Sequence, residues 1–372
     1  MTTWSSTSFC ENTLLFGHDQ TPGLIAFELE GPDRIRIYRR ENGTTTSAVE
    51  PFSPVLLLAD PDFLKDWKGE ADVAPLDGFG LYRWLARFPS WAVALKAREH
   101  CQKTSKKTPT APDAPYRFIN DAVQQFLLLT GKTSFVGLGF PALRRLALDI
   151  EVMAGQGFEF PSAARESDRI IAIAMADSSG WEHVISGHEH SEPEMLALAS
   201  RLIRERDPDV IEGHNIFRFD LEYLEARARR HRLTLAWGRD GAPLRGHASR
   251  MQIAERAISY RRYQITGRHI VDTWILVQHY DVAARDLESY GLKEVAKHFG
   301  FASENRTYLP PERIPEIFRE DPDRLMAYAL DDVRETLALS RLHHARVPRG
   351  GGEHRHQLRG RGAHRGQVVH AR

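Results

Sequence analysis

The chain has 372 residues with 50 basic and 50 acidic side chains, enough length for two domains and a substantial core, and a balance that leaves any recruitment of an anionic polymer to local clustering. Only Cys10 and Cys101 are present, which excludes a disulfide framework and a cysteine zinc site and fits a reducing compartment. Met1-Thr2-Thr3-Trp4-Ser5 has no charged start followed by an apolar run, and no apolar segment approaches membrane-spanning length, so a soluble cytoplasmic protein without a membrane partner is expected.

Residues 11 to 60 alternate short apolar runs with turn residues: TLLFGHD, GLIAFELEGPD, RIRIYRRENG and FSPVLLLAD. This period-two patterning, broken by Gly, Pro, Asn and Asp, predicts a small antiparallel β-unit. Residues 79 to 102 read as helical with a break near Pro89. The stretch KTSKKTPTAPDAP at 103 to 115 has no apolar periodicity and reads as a linker or exposed loop. From Tyr116 the pattern is helical again through YRFINDAVQQFLLLTGK, with Gly131 in a C-cap position. The tetrapeptide GKTS at 131 to 134 is similar to the end of a phosphate-binding loop, but Phe126 stands where that loop needs its first glycine. The segment also follows a helix instead of opening one, so we discard that reading.

Residues 146 to 152 (LALDIEV) alternate as a strand, with Asp149 and Glu151 on one side. Side chains two apart in a strand lie about 6.6 Å from each other, so the pair can bracket one or two divalent cations. Taken alone, such a pair is usually just the solvated edge of an antiparallel sheet. RIIAIAMAD (169 to 177) and GWEHVIS read as the second and third strands of a meander. An amphipathic helix over 193 to 207 follows, then a strand in DPDVIEGHN (207 to 215) and a helix in FDLEYLEARARRHR. This is a mixed α/β pattern, and its order is the one found in ribonuclease-H-like nuclease domains.

Residues 233 to 262 are less regular, with a turn at Gly238-Arg239-Asp240-Gly241; ten arginines fall between 227 and 262. They suit either a solvated face or the wall of a groove for a phosphate backbone. GRHIVDTWILVQHY (267 to 280) reads as a strand entering a helix, and YGLKEVAKHFG (290 to 300) as a short helix ending at Gly300. A helix over 322 to 345 begins with Asp321 placed to cap it and Pro322 in its first turn. From Val347 to Arg372 the chain holds Gly, Arg and His with almost nothing to bury, so disorder is expected, either as a basic arm or as an unrelated terminus.

Two further patterns join Asp149 and Glu151. In HNIFRFDLEYLEARA, Asn215 stands where a strand ends and Asp220 in the first turn of the next helix; alone they are a cap and a dipole-complementing acid. In YALDDVRETLAL, Tyr328 and Asp332 share a helix face, while Met326, Leu330, Val333 and Leu337 mark a different, apolar one. Asp-x-Glu, Asn-x-x-x-Phe-Asp and Tyr-x-x-x-Asp, in that order, resemble the signature of the four-carboxylate exonucleases in their tyrosine variant. DPDVIEGHNIFRFDLEYLEARA, GRHIVDTW, ESYGLKEVAKHFG and DRLMAYALDDV resemble the 3′-to-5′ exonuclease domain of family B DNA polymerases. RFINDAVQQFLLLTGKTSF and the β-rich residues before it are similar to that family's N-terminal domain.

The resemblance implies a β-rich domain over residues 1 to 140, a ribonuclease-H-like exonuclease domain over 141 to 345, and a tail from 346. It implies two divalent cations, Mg²⁺ or Mn²⁺, bridged by Asp149. Glu151 and Asp332 would complete the site that holds the attacking water, Asp220 would serve the second ion, and Tyr328 would orient the water. Asp272 in GRHIVDTW matches a recurrent acid near the site, while Asn215 and Phe219 would position the terminal nucleotide. Hard cations prefer oxygen ligands, which suits a cysteine-free set. The expected activity is hydrolysis of single-stranded or frayed DNA 3′ ends, with a polymerase subunit or other replication and repair proteins as partners. Nothing in the sequence matches the Asp-Thr-Asp-type motif of the family's palm, so synthesis is not expected. The alternatives are a non-catalytic nucleic-acid-binding half of a polymerase, and RNA processing by the same cleft.

Overall fold

The computed structural model describes residue 12 and residues 14–346, apart from 78, 79, 156 and 159. The chain divides after Leu138 into two units. The stretch from Val347 onward, including its expected disorder, lies outside the described residues.

In the first unit, β1 (Leu24–Glu30), β2 (Arg34–Glu41) and β3 (Thr44–Pro51) form an antiparallel meander. Asn42 and Gly43, both at positive φ, close the β2–β3 hairpin as the right-handed strand twist requires. Among the described residues of TLLFGHD, 14–19, there is no strand. FSPVLLLAD supplies β4 (Val55–Leu58), which leaves the meander for a second sheet ordered β5 (Asp72–Pro75), β6 (Trp84–Arg87), β4, β7 (Tyr116–Arg117). The helical reading of 79 to 102 is therefore corrected at its first half. Before Pro89 the apolar run is too short to make a helix, and Leu85 and Ala86 bury themselves by pairing with β4. The helix α1 (Trp91–Ser105) starts only after Ser90, whose hydroxyl accepts from the Val93 amide. Tyr116 likewise belongs to a strand, and α2 (Ala122–Thr130) opens at its Asp121 cap and closes at Gly131, with φ 79°. The loop between them is packed: Ala114 is buried, and the Tyr116 hydroxyl donates to the Lys107 carbonyl at 2.7 Å.

The second unit is a five-stranded mixed sheet with flanking helices. Its strands are β8 (Arg145–Val152), β9 (Ile170–Asp177), β10 (Glu182–Ser186), β11 (Val210–Gly213) and β14 (His269–Asp272), in the order β10-β9-β8-β11-β14. The first three are an antiparallel meander, while β11 and β14 run parallel to β8. Helix α3 (Glu192–Arg206) crosses from β10 to β11, and α4 (Asp220–Arg230) follows β11. The irregular stretch after it is a long antiparallel hairpin, β12 (Arg245–Ile253) with β13 (Arg256–Gln264). Helices α5 (Thr273–Ala284), α6 (Leu292–His298), α7 (Ile314–Glu320) and α8 (Pro322–Arg346) complete the unit. Among the described residues no helix is long and apolar enough to cross a membrane.

Several of the arginines of 227 to 262 form ion pairs. Arg227 pairs with buried Glu192, Arg229 and Arg261 with Glu225, Arg230 with Glu166, and Arg239 with Asp207 and Asp209. Arg245, Arg250, Arg256 and Arg262 lie on the hairpin strands.

The alternation in β8 decides what each sheet face carries. Leu146, Leu148 and Ile150 join Ile173 and Met175 of β9 in a core with α3 and α4. On the opposite face, Ala147, Asp149 and Glu151 stand across from Ala176, Ala174 and Ala172. A stripe of methyl groups lets a helix approach closely, and α8 lies there, packing Ala329, Val333 and Leu337 on Ala147, Ala174 and Ala176. That contact delivers α8 to the acid-bearing side of the sheet.

Candidate active site

Three parallel strands, β8, β11 and β14, end on the same side of the sheet, the usual location of a ligand crevice in open α/β sheets. β8 supplies Asp149 and Glu151. β11 stops at Gly213, where a Cβ would meet the Ile216 side chain at 2.7 Å, so glycine permits the tight turn that follows. Asn215 adopts a left-handed conformation, φ 65°. Asp272, at the end of β14, fixes this turn: its carboxylate accepts from the amides of Asn215 (2.9 Å), Phe217 (3.3 Å) and Trp274 (3.0 Å). Asp272 thus caps α5 and braces the turn, and burial lifts its pKa to about 6.

Asn215 does not cap α4. Phe219 occupies that position, without a side-chain cap, and its ring lies 5.6 Å from that of Tyr223. The Asn215 Oδ1 is buried with no hydrogen-bond partner among the described residues. Asp220, in the first turn of α4, accepts from the Ile150 amide at 3.2 Å. It is thereby tied to β8 between Asp149 and Glu151. Tyr328 and Asp332 come from the face of α8 turned toward the same acids.

The sheet and helix faces carrying these groups are not solvated, contrary to the plain reading of their elements. Asp220 is 1% exposed, Tyr328 6%, Glu151 7% and Asp332 8%. Asp149, Glu151 and Asp332 each offer a carboxylate oxygen, all within 4.8 Å of one another. Burial, then repulsion from Asp220 and Asp332, pushes Asp149 well above the carboxylate range; burial and Asp332 do the same to Glu151. Burial also raises Asp332 and lifts Asp220 to about 7. Mutually repelling buried carboxylates with oxygen donors only are the donor set of a hard divalent cation.

Two basic groups that the sequence reading did not single out touch this cluster. Lys293, in the first turn of α6, donates to the Tyr328 hydroxyl oxygen, with its ammonium 4.2 Å from the ring centre. Arg306 donates to Asp332 and, at 2.7 Å, to Glu335. Burial, then the carboxylates, hold the Tyr328 phenol protonated, above its ordinary range. Because Lys293 already donates to the phenolic oxygen, the Tyr328 proton points elsewhere. His214 anchors the start of α6: its ring nitrogens lie 2.7 Å from the Tyr290 carbonyl and 3.0 Å from the Thr273 hydroxyl, and burial lowers its pKa to about 4, leaving it neutral. Neither Lys293 nor Arg306 is spaced from the acids in any way a sequence period could reveal.

Residues 178–295 match the family model described as the exonuclease domain of DNA polymerase family B. Over that range the chain is similar to a family B DNA polymerase exonuclease domain. The matched range includes Asn215, Phe219, Asp220, Asp272 and Lys293, whereas Asp149, Glu151, Tyr328 and Asp332 flank it. A DNA polymerase of Archaeoglobus fulgidus is 28% identical over 204 residues, 54% of this chain and 23% of that protein. A DNA polymerase of Thermococcus aggregans is 26% identical over 344 residues, 84% of this chain and 17% of that one. The match thus spans less than a quarter of either relative. The fold is that of the family B DNA polymerase from the archaeon Pyrobaculum calidifontis, with a TM-score of 0.64 and 20% identity over 86% of this chain and 45% of that structure. The mixed α/β unit and the smaller β-rich unit before it are consistent with that fold.

Proposed function

We propose that the chain is a metal-dependent 3′-to-5′ exonuclease that acts on single-stranded or frayed DNA ends and releases nucleoside 5′-monophosphates. The observation that supports this most is the convergence of buried, mutually repelling carboxylates from β8 and α8, with oxygens of Asp149, Glu151 and Asp332 within 4.8 Å of one another. Asp149, Glu151 and Asp332 would hold one Mg²⁺ or Mn²⁺, and Asp220, beside Asp149, would serve a second. When bound, the pair supplies the Lewis acidity that activates water and stabilises the departing 3′ oxygen of a phosphodiester. Tyr328, held through its oxygen by Lys293, would donate a hydrogen bond to the attacking water and so orient it. The partnerless Asn215 Oδ1 accepts from the terminal nucleotide, and the Phe219 ring offers a surface on which a base stacks.

Digestion of a 5′-labelled single-stranded DNA oligonucleotide with Mn²⁺ tests this reading, with wild type beside Asp149→Ala. A ladder shortening from the 3′ end in wild type alone is the expected result. Absence of any ladder from folded wild-type protein would leave a binding module in its place.

A further inference from the structure

We infer that Arg306 is a positioning residue that fixes the Asp332 carboxylate for metal binding, with Glu335 as its anchor. This rests on the reading of Asp332 as a metal ligand.

The Arg306 side chain is fully buried, yet it comes from the loop between α6 and α7 and makes no contribution to an apolar core. All three guanidinium nitrogens donate: Nε to Glu335 at 2.7 Å, one terminal nitrogen to Asp332 Oδ1, the other to the Thr307 carbonyl at 2.6 Å. The guanidinium also lies 5.1 Å from the Tyr308 ring centre and 5.6 Å from that of Tyr328. The next residue continues the contact, since the Thr307 amide donates to Asp331 at 2.9 Å. One loop therefore grips three acids on α8, and Asp332 is the one that faces the cluster.

A buried cation beside a metal ligand would compete with the metal if charge were its only attribute. The planar fork gives it another, because it holds Asp332 and Glu335 at a fixed angle that a lysine ammonium cannot impose. Arg306 engages Asp332 through Oδ1 alone, which leaves the second carboxylate oxygen for a cation. Glu335, buried one turn beyond Asp332, has its place explained by this arrangement: it fixes the arginine that fixes the ligand. Partners of this kind orient metal ligands, and their loss typically costs about 10- to 100-fold in metal affinity or activity.

The test compares full-length wild type with Arg306→Lys, Arg306→Met and Glu335→Gln. Mn²⁺ binding is read by titration calorimetry, the Mn²⁺ concentration for half-maximal DNA cleavage by a concentration series, and folding by thermal melting. Arg306→Lys should keep the charge, weaken Mn²⁺ binding about 10- to 100-fold, and regain activity as Mn²⁺ is raised. Glu335→Gln should shift the same midpoint in the same direction by less. If Arg306→Met does not fold, these two variants decide the outcome. Unchanged Mn²⁺ affinity in folded Arg306→Lys, with wild type binding and cutting, overturns the positioning role alone. Wild type that binds no Mn²⁺ overturns the metal-site reading and this inference together.

Discussion

Tyr328 is the residue whose environment says most about its task. Lys293 occupies its oxygen, and its burial beside Asp332, Glu151 and Asp149 keeps its proton in place, so it can donate a hydrogen bond and contributes no charge to metal binding. Tyr328→Phe should slow cleavage about 10- to 100-fold with Mn²⁺ affinity unchanged, read from turnover beside calorimetry. Equal loss of both would mean that the hydroxyl supports the metal ligands instead. The spacings Asp149-x-Glu151 and Tyr328-x-x-x-Asp332 were legible because each lies within one regular element, where period alone sets the face. The electrostatics were not legible, since burial of the acids and the approach of Lys293 and Arg306 depend on which elements meet. Asn215 and Asp272 show the same limit: the sequence placed both at strand ends, but one carboxylate accepting from three amides was visible only once β11 and β14 paired.

At the scale of elements, the distance between the two halves of the acid cluster is set by the alanines of β9. Ala172, Ala174 and Ala176 stand opposite Glu151, Asp149 and Ala147, and α8 rests on this stripe. Ala174→Leu should lift α8, destabilising the unit by about 1–3 kcal/mol as overpacking does and reducing cleavage by more than an equally destabilising change in the α3–α4 core. Thermal melting and turnover on both variants check this; loss in step with stability would show that the spacing is not critical. The regular elements from β8 to α8 were readable because their apolar residues keep periods of 2 or 3.6. Two elements escaped. β6 has only four residues and was absorbed into the helical run after it. The β12–β13 hairpin buries only Met251, Ile253 and Tyr263, so neither strand shows the sustained alternation that a buried face imposes.

For the whole molecule, the buried acids couple folding to pH. Asp220 and Asp272 have pKa values of about 7 and about 6 against an ordinary 3.8, so the folded protein holds these protons more tightly than the unfolded chain. Their contribution to stability is therefore full below about pH 4 and is lost as pH rises through about 6 to 7. Cations that bind the ionised carboxylates should reverse the trend. At saturating Mn²⁺ the second unit should melt about 5–10 °C higher than in chelator near pH 8, with a smaller rise near pH 5. Scanning fluorimetry across that range tests it, and an equal rise at both pH values would mean that the ions bind somewhere other than the buried carboxylates.

The placement of the acids along the chain also imposes an order in time. Asp149 and Glu151 lie on the first strand of the second unit, and Asp332 on its last helix. At about 5–20 residues per second on the ribosome, roughly ten to forty seconds separate the synthesis of Glu151 from that of Asp332. Once β9 has been made, a nascent chain can pair β8 with β9 for most of that interval yet has no complete ligand set. On the proposed reading, nuclease chemistry would be withheld until α8 has docked, so a growing polypeptide close to cellular nucleic acids would stay harmless.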